Sequence, residues 1–251
     1  MGEIMVVYNN MPAYIISNER QRWATSVVTN VKSVLTVAGS GDQALFYKLA
    51  GAENIDTFDV NINAGIIQDI KCAAIKDLSR DEYIDLLTRL YRADSNRIIT
   101  TPQICRLWDL FSPDTQQALL NNRSGMMFGA GHDIFAYPEN IPTDDEYKKL
   151  GRLLDKKFNF IWSDLERLGT KLQRKYDLIN ISNIFDYIPD GKIQTKILND
   201  LSEHISVGGH IAYLPQKTRF DYTKFQSEKL SYAKTIPDNR YTKMILFQRM
   251  H

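Results

Sequence analysis

The stretch Val34-Leu35-Thr36-Val37-Ala38-Gly39-Ser40-Gly41-Asp42-Gln43 limits the folds open to this chain more than any other. A β-branched apolar run stops abruptly in Gly-Ser-Gly-Asp. The next seven residues, Ala44 onward, carry helical apolar spacing and close on Gly51, and a second apolar run, Ile55-Asp56-Thr57-Phe58, ends in Asp59. Strand, glycine turn, helix, strand and acid form the opening unit of an open α/β sheet that holds a nucleoside-bearing ligand at the carboxyl ends of its strands. Glycines let the backbone approach a ligand closely, and an acid after the second strand can accept hydrogen bonds from both ribose hydroxyls. Gly39 and Asp59 are about twenty residues apart, the spacing that a short helix between neighbouring strands produces. A full dinucleotide fingerprint needs a third glycine where Gln43 or Ala44 stands. A glycine turn that binds nothing is the competing reading.

The alternation continues into a helix over 63–78, apolar at Ile66, Ile67, Ile70, Ala73, Ala74 and Leu78. Ser79-Arg80-Asp81-Glu82 has the form of a capping box and opens another helix. Over 94–157 no strand pattern is visible. Pro102, Pro113, Pro138 and Pro142 separate short helical stretches around a glycine-rich patch at 125–132. This block reads as a mostly helical insertion within one domain spanning 1–251. Placed after the second strand, it is expected to cap the carboxyl edge, because long connections of this kind often serve as lids.

Strand patterns return at 158–163, 176–183, 208–214 (led by Gly208-Gly209), 230–235 and 244–249, the last two joined by a turn at Pro237-Asp238-Asn239. The expected class is α/β: a seven-stranded sheet, mostly parallel, with an antiparallel C-terminal strand. Nearer the start, Met5-Val6-Val7-Tyr8 suggests a short strand, and Asn18 an N-cap for a helix running through Trp23.

Composition removes several classes. A formal net charge of +1 gives no bulk electrostatic case for nucleic acid as a partner. No apolar run approaches the roughly twenty residues of a membrane helix. The opening Met1-Gly2-Glu3-Ile4 lacks the cationic segment of a secretory signal, so a cytoplasmic location is expected. Cys72 and Cys105 fit no redox or metal spacing and read as buried thiols. The four histidines form no ligand set with them, so no metal is expected.

Polar residues stand at four successive strand ends: Gly39, Ser40, Gly41 and Asp42; Asp59, Val60 and Asn61; Asp164 and Leu165; Ser182 and Asn183. In an open parallel sheet these ends line one crevice. Asp59 is placed for a ribose and Asp164 for an adenine amino group. An Asp after a strand is also an ordinary helix N-cap, and for Asp164 alone the two readings stand side by side.

Glycine turn, acid after strand two, Asp after strand three and Gly-Gly before strand five together resemble the S-adenosylmethionine-dependent methyltransferases, over about 33–62 and from about 159 onward. The resemblance implies a Rossmann-like seven-stranded methyltransferase fold, S-adenosyl-L-methionine as cofactor, and the strand-end residues above as its binding set. Many members carry an acid two residues before the first glycine, where it orders the methionine amino group. Here Val37 holds that place, so either Asp42 takes over part of the role or the methionine end is held differently. A narrower resemblance rests on residues 38–45, 55–61 and Lys71-Cys72-Ala73-Ala74-Ile75. It is to a bacterial family related to the enzyme that moves the 3-amino-3-carboxypropyl group of S-adenosylmethionine onto diacylglycerol in betaine-lipid synthesis.

That resemblance implies a transferase moving an aminocarboxypropyl or methyl group to a small-molecule or lipid acceptor. A sulfonium is already electrophilic, so the protein need only align a nucleophile and, where necessary, remove its proton. Two candidates stand out. His132, beside Asp133 in the glycine-flanked patch, could act as a base, and Tyr187, after the fourth strand, could stabilise the sulfonium by cation–π attraction. A non-catalytic S-adenosylmethionine-binding protein and an NAD-dependent oxidoreductase remain alternatives.

Overall fold

A computed structural model of the chain describes residues 11–26, 29–92, 100–121, 128–130, 134–216, 227–237 and 243–251. Its core is a seven-stranded sheet whose strands are β2 (Ser33–Val37), β3 (Asn54–Asp59), β5 (Asn159–Trp162), β6 (Tyr176–Asn180), β7 (Ile205–Tyr213), β8 (Leu230–Pro237) and β9 (Lys243–Arg249). A separate short pair is made by β1 (Ala13–Tyr14) and β4 (Phe128–Ala130). The large sheet has the order β5-β3-β2-β6-β7-β9-β8. Neighbouring strands from β5 through β7 run parallel, and β9 is antiparallel to both β7 and β8. This is the seven-stranded Rossmann-like arrangement of the methyltransferase fold. The chain winds outward one way through β3 and β5, then returns to add β6 on the other side of β2. The carboxyl ends of β2 and β6 therefore flank the switch point, where doubly wound sheets open a crevice.

Helices cover both faces. Val34, Leu178, Ala212 and Leu246 point to one face, against Ala44 and Tyr47 of α2 (Asp42–Leu49) and Ala24 of α1 (Gln21–Ser26). The alternate residues Leu35, Ile179, Ile211 and Phe247 point to the other, against Leu165 and Leu168 of α8 (Leu165–Lys171) and Ile197, Leu198 and Leu201 of α9 (Gly191–Ser202). Burial on both faces explains why these strands read as unbroken apolar runs instead of alternating ones.

The described helices of the insertion lie along α3. Between β3 and β5 the chain forms α3 (Ile62–Asp77), α4 (Arg80–Arg92), α5 (Pro102–Leu107), α6 (Pro113–Asn121) and α7 (Asp144–Leu153). Ile104, Leu107, Leu119, Tyr147 and Leu150 form one core cluster with Ile66, Ile67, Ile70 and Ile75 of α3. Tyr147 donates to the carbonyls of Ala74 and Leu78, near the end of α3 remote from the site. Among the described residues, these helices thus form an outer layer along α3. The physical cause is α3 itself, apolar on more than one stripe, so that a second layer is needed to keep it dry. Among the described residues, β4, Glu139, Asn140, Ile141 and Glu146 reach back to the chain's N-terminal segment.

Smaller differences have local causes. Helix α9 stops at Ser202 and β7 begins at Ile205, ahead of Gly208-Gly209. The pairing of β6 with β7 jumps from Tyr176↔Ile205 to Leu178↔His210, so the glycines form a bulge inside the strand. A Cβ on Gly209 would sit 2.8 Å from the Asp177 carbonyl. The first helix begins at Gln21, and Asn18 is not its cap. Cys72 is buried, but Cys105 is exposed. The expected strand at 5–8, the glycine patch at 125–127 and 131–132, and the Asp238-Asn239 turn lie outside the described residues.

Candidate functional site at the carboxyl edge

Three residues at the switch point hold left-handed backbone: Gly39 (φ +50°), Gly41 (φ +83°) and Ser182 (φ +51°). Gly41 begins α2, and a Cβ there would lie 3.1 Å from Cα of Gln68 in α3. Glycine at this point therefore answers both a dihedral and a close approach. Ser182 has no such excuse. A non-glycine residue in this region costs of order 1–3 kcal/mol and marks a turn held by its surroundings. Its amide donates to Oδ1 of Asn180 (2.9 Å), and Leu214 N donates to its carbonyl (2.8 Å).

Asp59 joins two of the turns. Its Oδ2 accepts from Gly39 N (3.0 Å) and its Oδ1 from Asn61 N (2.9 Å). Burial pushes its carboxyl above the usual value, and the amides of Asn61, Gly39 and Val60 pull the other way. The Gly39, Asn61 and Val60 amides take up most of the carboxylate's roughly four acceptor sites, and capacity for a further donor remains. Asn61 caps α3 by accepting from Asn63 N, and its amide donates to the Met11 carbonyl. The Val60 carbonyl accepts from Nε1 of Trp162, a partly exposed ring at the end of β5.

Asp42 and Ser40 face inward. Asp42 forms an ion pair with Lys71 of α3 at 2.5 Å, and the two side chains are 2% and 1% exposed. Its other oxygen accepts from Ser17 N (2.8 Å) and from the Ser40 hydroxyl (2.7 Å). With three donors in place, the carboxylate is committed to holding the turn against α3 and the N-terminal segment. The pair also ties together the Gly-Ser-Gly-Asp turn and the Lys-Cys-Ala-Ala-Ile helix of the sequence resemblance.

Asp164 is the N-cap of α8, accepting from Arg167 N at 2.8 Å, with the Arg167 guanidinium 3.7 Å away. The Leu165 side chain belongs to the α8/α9 core, which leaves only its backbone at the edge. Asn183 precedes a short 3-10 turn, Ile184–Tyr187, whose last residue is 66% exposed. Phe185 packs inward on Tyr213, and Asp186 is buried, accepting from the Tyr213 hydroxyl and Gln216 N. His132 lies outside the described residues.

The principal residue missed from sequence is Glu19. The segment from Met11 to Gln21 runs as a strap across the carboxyl edge, from Asn61 and Asn63 past Asp42 to Ser182. Glu19 accepts from the Ser182 hydroxyl with one oxygen and from Nε2 of Gln43 (2.5 Å) with the other. Gln43 is in turn held by Thr36 Oγ1 (2.5 Å), and Asn180 donates to Tyr47 OH (3.0 Å) beside it. Burial pushes Glu19 above the usual glutamate value, opposed by hydrogen bonds from Ser182, Gln21 and Gln43. A contact spanning 163 residues leaves no local signal in the sequence. A separate cavity of about 410 Å³ lies at the opposite, amino edge, between Asn30, Asp177, Gly209, His210 and Lys234, remote from these turns.

No protein-family model matches the chain, and no curated protein matches it. Solved structures do resemble it. An rRNA methyltransferase, aviRa, from Streptomyces viridochromogenes is 12% identical, with a TM-score of 0.46 over 91% of this chain and 81% of that one. An rRNA methylase from Streptococcus thermophilus is 10% identical, with a TM-score of 0.44 over 92% of this chain and 94% of that one. The N-methyltransferase NodS from Bradyrhizobium japonicum, solved with S-adenosyl-L-homocysteine, is 10% identical, with a TM-score of 0.41 over 92% and 83%. Among the described residues no helix is long and apolar enough to cross a membrane.

Proposed function

We propose that the chain is an S-adenosylmethionine-dependent transferase. The observation that carries this reading is Asp59, a half-buried carboxylate at the end of β3 that is bonded to the glycine turn of β2 and retains acceptor capacity toward the crevice. Two vicinal ribose hydroxyls match that capacity. The turn at Gly39 and Gly41 faces the nucleoside, and the turn at Ser182 faces the far end of the ligand across the switch point. S-adenosylmethionine, when bound, supplies a sulfonium whose neighbouring carbons accept a nucleophile. The chain's residues orient it, and Trp162 and Asp164 border the adenine side. Bound there, it would offer an alkyl carbon already activated by the sulfonium, and the residues at the crevice would align the acceptor with it.

Within this class we favour 3-amino-3-carboxypropyl transfer, to a small-molecule or lipid acceptor. What supports this is the narrower sequence resemblance, which is to an aminocarboxypropyl transferase. Tyr187, exposed beyond Ser182, is placed for the acceptor side.

The test is binding followed by product identity. S-adenosylhomocysteine should bind, and Asp59→Ala should weaken it by roughly 2–4 kcal/mol through loss of two charge-assisted hydrogen bonds. Turnover mixtures analysed by mass spectrometry should contain methylthioadenosine. Finding S-adenosylhomocysteine alone would replace aminocarboxypropyl with methyl transfer. Calorimetric binding of NAD but not of S-adenosylhomocysteine would overturn the class.

A further inference from the structure

The place where an acid would meet the ligand's amino group from the glycine turn is apolar Val37, and Asp42 is already held by Lys71, Ser17 N and Ser40. One carboxylate at the switch point is differently situated. Glu19 enters between the ends of β2 and β6, and its partners among the described residues are the neutral donors Ser182, Gln43 and Gln21. None of them carries a compensating charge. A carboxylate drawn out of water without a cation is costly, and a cationic partner arriving there would be strongly favoured. Burial holds the group above the usual glutamate value, the direction expected when the cation is missing.

The position fits one end of the proposed ligand. With ribose at Asp59, the long axis of the molecule leads from β3 across β2 toward β6. Glu19 lies at that far end, on Ser182, the residue whose left-handed backbone (φ +51°) turns its hydroxyl to the carboxylate. Gln43 fixes the second oxygen and is itself fixed by Thr36. The carboxylate is therefore held from two strand ends before any ligand arrives.

We infer that Glu19, on the strap, is the residue that receives the α-ammonium of S-adenosylmethionine, taking over from the strap side the role that the apolar Val37 leaves vacant in the glycine turn. The inference rests on the transferase reading above. It assigns the strap a binding role: it closes the edge and carries the ligand's counter-charge.

Calorimetry with two ligands separates the possibilities. S-adenosylhomocysteine carries the ammonium, and methylthioadenosine keeps the nucleoside and thioether without it. Glu19→Gln should weaken S-adenosylhomocysteine at least tenfold, about 1.4 kcal/mol, and methylthioadenosine less than threefold. Glu19→Asp, which keeps the charge on a shorter arm, should fall between the parent and Glu19→Gln for S-adenosylhomocysteine. Methylthioadenosine binding also reports that each variant is folded. Equal weakening of both ligands would make Glu19 a strap support only, and unchanged S-adenosylhomocysteine binding would remove it from the site; either overturns the inference while leaving the transferase reading intact. A parent protein that binds neither ligand would overturn that reading and this inference with it.

Discussion

The Asp42–Lys71 pair gives the sharpest test of how the glycine turn is held, and it needs no ligand. Both groups are almost fully buried, at 2% and 1% exposure and 2.5 Å apart. Replacing Lys71 with Met leaves a buried carboxylate supported only by Ser17 N and Ser40. Breaking such a pair from one side costs about 3–5 kcal/mol. Asp42→Leu strands the ammonium instead. Burial already pulls Lys71 below its ordinary value of 10.5, so it can escape by losing its proton. From 10.5 that costs at most about 4.8 kcal/mol at pH 7, at 1.36 kcal/mol per unit, which caps the penalty. The double variant Asp42→Leu/Lys71→Met has no stranded charge. It should lose only about 1–3 kcal/mol, from the abandoned Ser17 and Ser40 donors. Urea unfolding of the four proteins yields the coupling, expected to exceed about 2 kcal/mol. Additive losses, or single variants costing less than about 1 kcal/mol, would refute the reasoning that the pair is dry and mutually dependent.

Two further outcomes follow from the same turns. Asp59 is raised above its ordinary 3.8 by burial, so in the folded protein it holds its proton to higher pH than in the unfolded chain. The sign follows by linkage: its contribution to stability is greatest below 3.8 and declines as pH rises through the folded value. Urea midpoints should therefore shift in favour of Asp59→Asn, relative to the parent, between pH 3.5 and 7; a difference that stays flat or moves oppositely contradicts the burial argument. Gly41→Ala combines φ +83° with a Cβ 3.1 Å from Gln68 Cα, and should cost about 2 kcal/mol, or about 4–8 °C in melting temperature. Gly191→Ala, which meets nothing within 4 Å, is the control and should melt with the parent.

The parts legible in the sequence were those whose cause is local. The strand–turn–helix unit at Gly39 to Asp59 announced itself because dihedral demand and burial fall on consecutive residues. The seven strands and the antiparallel C-terminal pairing followed from the alternation and the turns, and the Ser79 capping box closed as expected, with Glu82 accepting a hydrogen bond from Ser79 N and donating its own amide to the Ser79 hydroxyl. What escaped depends on pairs distant along the chain. Nothing near Asp42 reveals that Lys71 neutralises it, and nothing near Glu19 points to Ser182. The seat of the insertion's described helices is written in α3, where Cys72 and Ile75 extend the apolar surface beyond the stripe of Ile66, Ile67, Ile70, Ala73 and Ala74. The three-residue β4 was invisible because its partner, β1, is two residues long.

Asn140 has a consequence that reaches well past its own contacts. This one buried carboxamide accepts from Gln21 N and donates to the carbonyls of Ser17 and Glu19, while nearby Arg22 of α1 pairs with Glu146 at the start of α7. Strap and insertion thereby form one cooperative block, gained or lost together in local opening. A strap released from Asn140 would have to be re-ordered at every binding event, and that entropy would be subtracted from the ligand's affinity. The outer helical layer is in this sense part of the dissociation constant.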